Sequence, residues 1–286
     1  HAHYDSGNIG GGINYWRWYG LSHRSSIDFS ERFLSPMDGF RASAIMSIDN
    51  RDKQKIELAI QSHAMRAEDI PNLFAAAGRG ADGFAFSGFT DNDGDGMHGR
   101  ARIFERFGSW FVSYDPLPDV ALYACDHAAV ANTVLYDLAR IRRPAIVVGP
   151  RDVVAGELLK YKVLFLVGMK NVFLPEILDA FRAFEAKGGI ILKDDSCEKE
   201  VPGRSIGMAY SGKALSGSWG GAQAGGEYEH TYVWKIFLEK QPTLVKAFAN
   251  TPQPPVMTPD TDVLLSPLAG KDAIICFVIN KTEVPL

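Results

Sequence analysis

The sequence predicts an α/β protein made of two successive arrays of strands and covering helices, followed by the start of a β-rich module. Two observations carry that class. Short apolar runs alternate with longer amphipathic stretches along the first 195 residues, the pattern of βα units. In the second array the strand-like runs are uninterrupted Val/Ile/Leu, such as AIVV at 145–148 and VLFLV at 163–167, as strands buried on both faces require.

The first array is read as follows. INYWRWYG at 13–20 reads as an aromatic strand, and residues 25–34 as a helix with Ser25 or Ser26 as its N-cap. RASAIMSID at 41–49 and KIELAIQS at 55–62 read as strands. Residues 68–80 read as a helix with Pro71 in its first turns and glycine past its end. DGFAFSG at 82–88 is a further strand, opening onto an acidic loop, and residues 100–112 are a helix.

A proline-marked linker at 113–119 leads to the second array. Strands are predicted at 120–125, 145–149, 162–168 and 190–194, with helices at 128–140, 154–160 and 175–188, Gly188 and Gly189 capping the last. That succession predicts a flavodoxin-like, doubly wound sheet. After Lys193 the pattern loosens into a Gly/Ser-rich stretch at 216–227, a helix at 232–240 and a Pro-rich stretch at 251–259. AIICFVIN at 273–280 starts the β-rich module. The chain begins at His1 without Met and ends soon after that strand, so a fragment of a longer protein is expected.

Composition narrows the function. The 286 residues are 46% hydrophobic and 22% charged, ordinary for about two globular domains. A formal charge of −4 leaves no electrostatic footprint for nucleic acid. No apolar run reaches the ~18–20 residues of a membrane span. Cys125, Cys197 and Cys276 are far apart and lie in or beside apolar runs, which suits buried thiols better than disulfides or a zinc site.

The loop at 90–103 sets Asp91, Asp93, Asp95 and Gly96 in the order that opens an EF-hand. Counting from Asp91, the twelfth position is Arg102, a cation where the bidentate Glu should stand. A solvated Asp/Gly turn is the plainer reading, with a looser cation site at Asp91, Asp93 and Asp95 as the remaining metal possibility. Gly168 and the GGAQAGG run at 220–226 lack the context of a phosphate or dinucleotide cradle, so no cofactor is expected.

Three groups of phrases resemble the family 42 type β-galactosidases: the run at 66–90, RFGSW at 106–110 with PDVALY at 118–123, and YKVLFLVG at 161–168 with FRAFEAKGGIILKDD at 181–195. The resemblance covers residues 10–280. It implies that residues 1–112 are the C-terminal half of a (β/α)8 barrel. It further implies that 119–250 is a flavodoxin-like trimerisation domain, in topology like class I glutamine amidotransferases, and that 256–286 starts a β-sandwich. The amidotransferase elbow Gly-x-Cys-x-Gly is absent, and Cys125 with His127 is not by itself a dyad.

The resemblance implies hydrolysis of O-glycosidic bonds by a carboxylate pair, the acid/base on the fourth barrel strand, outside this chain, and the nucleophile on the seventh. KIELAIQSHA at 55–64 best matches that seventh strand, so Glu57 is the candidate nucleophile, although Gln61, Ser62 and His63 stand nearer the strand's end. Asp49 and Asp91, at strand ends, are candidates to bind sugar hydroxyls or to cap turns. Trp16 and Trp18 share one face of their strand and could stack on a sugar ring or fill the core. Gln61 and His63 complete the predicted substrate-binding set. The expected partner is a carbohydrate, with neither nucleic acid nor membrane, and a homo-oligomer is expected. The alternative is a non-catalytic oligomerisation or carbohydrate-binding scaffold on the same fold.

Overall fold

The computed structural model describes residues 2–4, 25–30, 56–61, 74, 78, 83–87, 94–124, 134, 135, 137–169, 174–210, 239–258 and 263–280. In chain order the strands are β1 (Ala2–Tyr4), β2 (Ser25–Ser30), β3 (Ile56–Gln61), β4 (Gly83–Ser87), β5 (Asp115–Pro116) and β6 (Val120–Ala124), then β7 (Ala145–Val147), β8 (Val163–Val167), β9 (Ile190–Lys193), β10 (Arg204–Ser205), β11 (Val263–Ala269) and β12 (Ile274–Asn280). The helices are α1 (Gly94–Ser113), α2 (Pro150–Val154) and α3 (Pro175–Ala186). The chain divides into two compact units, His1–Leu117 with Asp262–Leu286, and Pro118–Thr261.

In the first unit β1, β2, β3 and β4 lie side by side in chain order, and every pair is parallel. The predicted strands at 55–62 and 82–88 are β3 and β4. The helix predicted over 25–34 is instead strand β2 over Ser25–Ser30. Ile27 and Phe29 alternate with Ser26, Asp28 and Ser30, a period of two, and that alternation outweighs the capping signal of the two serines. Helix α1 starts at Gly94, six residues before the predicted start at Arg100. Gly94 and Gly96 read as breakers, yet the first turn holds Asp95, a side chain suited to a helix N-terminus. The predicted strands at 13–20 and 41–49 and most of the helix at 68–80 lie outside the described residues; within the last, Phe74 is helical and the Gly78 N–H donates to the Phe74 carbonyl at 2.8 Å.

Part of the predicted linker is ordered as a strand. Asp115 and Pro116 pair antiparallel with Ala269 and Leu268 of β11, and the Leu117 N–H donates to the Pro267 carbonyl at 2.9 Å. Pro116 is tolerated because β5 is an edge strand. Strands β11 and β12 form a seven-residue antiparallel hairpin closed by Lys271 and Asp272. Gly270 enters that turn because a Cβ there would stand 2.4 Å from the Tyr114 ring. Phe74 meets both Phe107 of α1 and Phe277 of β12 edge-on at 5.3 Å, tying helix and hairpin together.

The second unit holds five parallel strands in the order β10-β9-β8-β6-β7. Numbered within the unit, that is 2-1-3-4-5. The predicted strands at 120–125, 145–149, 162–168 and 190–194 are β6, β7, β8 and β9, and residues 134, 135 and 137–140 of the helix predicted after β6 are helical. The helix predicted at 154–160 is instead the last residue of α2, which begins four residues earlier at Pro150, then a turn at Gly156 with φ 81° and a 3-10 turn over Glu157–Lys160. Residues 239–248 are helical, so the last helix runs past Lys240, where it was predicted to end, and Pro242 does not stop it. Leu244 and Phe248, four residues apart and both buried, hold that turn down.

The sheet separates two apolar layers. On one face Ala121, Leu164, Leu166 and Ile191 pack with Val153, Ile177, Phe181 and Phe184 of α2 and α3. On the other, Leu122, Phe165 and Leu192 stand in one cross-strand row, with Phe165 edge-on to Tyr210 and Phe248. All five residues of β8 are buried, as a central parallel strand requires.

Candidate functional site

The parallel registers of the first unit place polar and small residues together. Ser26, Glu57 and Gly83 form one cross-strand row with His3, Asp28, Ala59 and Ala85 belong to the next row on that face, and Ser30, Gln61 and Ser87 form the last. The intervening rows are Tyr4, Ile27, Leu58 and Phe84, then Phe29, Ile60 and Phe86. The first row of this second face is Ala2, Ser25 and Ile56, so this face is mostly apolar, with Ser25 and Tyr4 its polar members, and the other carries His3, Ser26, Asp28, Ser30, Glu57, Gln61 and Ser87.

Of the predicted site residues, Glu57 and Gln61 lie on that polar face of β3, Glu57 second in the strand and Gln61 last. Four residues separate them, about 13 Å along a strand. Gln61 thus stands at the C-terminal edge with Ser30 and Ser87, while Glu57 stands at the N-terminal side. Asp95 lies in the first turn of α1 rather than in an open loop, and Asp91 and Asp93 lie outside the described residues. Trp16, Trp18, Asp49 and His63 lie outside them too. Among the described residues no group of three His, Cys, Asp or Glu side chains is placed to hold a metal ion. Asp28 and Ser30 join this face although the sequence reading makes residues 25–34 a helix, whereas Ser87 ends the strand β4 that the sequence does predict. The alternation of residues 26–30 is the signal that marks Asp28 and Ser30.

Among the described residues the second unit holds three buried carboxylates, Asp119, Asp137 and Asp194. Asp194, fully buried just past β9, accepts from the Gly168 N–H at 3.0 Å and the Cys197 thiol at 3.1 Å through Oδ1, and from the Ser196 hydroxyl at 2.6 Å and the Tyr210 N–H at 2.8 Å through Oδ2. One side chain thereby ties the segments that follow β8, β9 and β10. Four donors on one carboxylate satisfy it without a counter-ion.

Asp137, buried on the helix after β6, accepts from the Tyr210 hydroxyl at 3.0 Å and from Lys240 Nζ at 3.4 Å. Lys240 Nζ also lies 4.6 Å from the centre of the Tyr210 ring, a cation–π contact. Burial raises the Asp137 pKa from 3.8 to about 6, with Lys240 and the Tyr210 hydroxyl pulling it back. Tyr210 is pushed well above its ordinary value by burial and by Asp137, so it donates as a neutral phenol. At the other end of the sheet Arg143 pairs with Asp119, both side chains 5% exposed, and lies over the Phe248 ring at 5.2 Å.

Burial, then the hydrogen bond to Asp194, raise the Cys197 thiol to about 12. It is a protonated donor, not a nucleophile. Cys125 lies outside the described residues. No family model matches the chain, and no curated protein matches it.

Proposed function

We propose that the chain is part of a family 42 type glycoside hydrolase, contributing barrel βα units and the flavodoxin-like domain that follows them, with Glu57 as the nucleophilic carboxylate of a β-galactoside-cleaving pair. The observation that supports this reading best is the pairing of two topologies. A run of parallel strands adjacent in chain order, with one mostly apolar and one polar face, suits barrel staves. A parallel sheet in the order 2-1-3-4-5, which suits a flavodoxin-like domain, follows it in the sequence. Glu57 lies on the polar face, which in a barrel is the face turned from the helices.

The rival reading is a non-catalytic scaffold that binds carbohydrate or assembles with copies of itself. One observation favours it: Glu57 stands on the N-terminal side of β3, whereas barrel chemistry gathers at the C-terminal rim. A β-galactoside of 2,4-dinitrophenol separates the two, because that leaving group departs without protonation and tests the nucleophile alone. The catalytic reading predicts a burst of dinitrophenolate that Glu57→Gln abolishes. The scaffold reading predicts release at the background rate from both proteins.

A further inference from the structure

Strands β9 and β10 are parallel neighbours joined by residues 194–203, a return that contains no helix. A parallel crossover ordinarily takes about a dozen residues or more and a helix, so this short return depends on an anchor of its own. Lys193, the last residue of β9, supplies one. Its Nζ donates to the Val201 carbonyl at 2.6 Å and to the Glu198 and Lys199 carbonyls at 3.3 Å each. The three hydrogens of the ammonium thus meet three acceptors.

Two of these acceptors are also held by bonds that do not involve the lysine. The Glu198 N–H donates to the Met169 carbonyl at 3.0 Å, and the Val201 N–H to the Glu198 carbonyl at 3.2 Å. The Val201 side chain is buried in the apolar layer that contains Met169 and Ile191. The carbonyls therefore converge on one point because the loop is built that way, and the ammonium occupies that point.

We infer that the carbonyls of Glu198, Lys199 and Val201 form a seat for a monovalent cation, filled in this chain by the tethered ammonium of Lys193, and that the seat takes a free potassium ion once the tether is shortened. Convergent neutral carbonyl oxygens are the ligands with which proteins replace the hydration shell of such an ion. A divalent ion is disfavoured, because it is held largely through carboxylates and none of the three acceptors is charged. Lys193 is half-buried and its bond to the Lys199 carbonyl is exposed, so an ion in the seat keeps water on that side. Carrying its own cation, the wild-type loop is indifferent to the salt around it.

Hydrogen exchange of the amides in 195–203, read by peptide mass on the full chain, tests the inference in potassium chloride and in choline chloride at equal ionic strength, choline being too large for the seat. In choline, Lys193→Ala should exchange faster there than the wild type. Potassium at about ten times its dissociation constant should then slow exchange in Lys193→Ala about tenfold, by binding the closed loop. The wild type should exchange alike in both salts, and so should Lys193→Met, whose uncharged stem fills the room left for the ion. If Lys193→Ala does not fold in choline, recovery of folded protein in potassium replaces the exchange readout. Equal exchange of Lys193→Ala in the two salts up to about 0.5 M overturns the inference. So does an equal response of the wild type or of Lys193→Met, or a Lys193→Ala chain that folds in neither salt.

Discussion

The buried carboxylate of Asp137 makes the second unit's stability depend on pH in a direction opposite to that of most acidic residues. Its pKa is 3.8 when exposed and about 6 in the fold, so the folded protein holds a proton that the unfolded chain has released. The stabilisation is fully present below pH 3.8 and is lost as pH rises through about 6. At ~1.4 kcal/mol per pH unit, that gap is about 3 kcal/mol. Asp137→Asn keeps the shape and an acceptor for the Tyr210 hydroxyl but does not titrate. Urea melts of the wild type and the variant, compared at pH 4 and pH 7, should therefore diverge. About 2.4 kcal/mol of that gap falls between pH 4 and pH 7, so with a slope near ~2 kcal/mol per molar urea the difference between their midpoints should change by about 1.2 M over that interval. Other carboxylates contribute equally to both proteins and cancel. Midpoints that move in parallel from pH 4 to pH 7 would refute the reasoning.

Arg143→Ala strands the Asp119 carboxylate in the interior and should cost about 3–5 kcal/mol in chemical denaturation, while Asp119→Leu with Arg143→Met should recover most of it. A Cβ on Gly189 would lie 2.3 Å from the buried Phe184 ring, so Gly189→Ala should destabilise by about 1–3 kcal/mol. Gly188→Ala meets open space and carries only the left-handed backbone penalty at φ 88°, about 1 kcal/mol, so the two alanine variants should separate in the same melt. Iodoacetamide at pH 7 should leave Cys197 unmodified in the folded protein and alkylate it in urea, as read by peptide mass.

The second unit was legible because burial on both faces writes itself into the chain: VLFLV at 163–167 permits little but a central strand. Residues 25–30 misled because two serines before an apolar residue satisfy a helix cap as well as they satisfy a strand with one polar face. Strand β5 was hidden for a different reason. Asp115 and Pro116 have poor strand propensity, and only the distant β11 recruits them. The carboxylate networks were invisible in principle, since Asp137, Tyr210 and Lys240 are brought together across 103 residues and no local spacing reports it. Of the predicted site, the sequence located Glu57 and Gln61 on one strand and already marked Glu57 as early in it. The register adds that both belong to the polar face, with Asp28 and Ser30 beside them.

The most direct test of the glycosidase reading is the site of covalent labelling by 2-deoxy-2-fluoro-β-galactosyl fluoride, followed by intact mass and peptide mapping. Its fluoride leaves without acid assistance, and the fluorine at C2 slows turnover of the ester formed with the nucleophile. The account predicts one fluorogalactosyl adduct per chain on the peptide that holds Glu57, and none in Glu57→Gln. An unlabelled wild type, or an adduct on any other carboxylate, would contradict it.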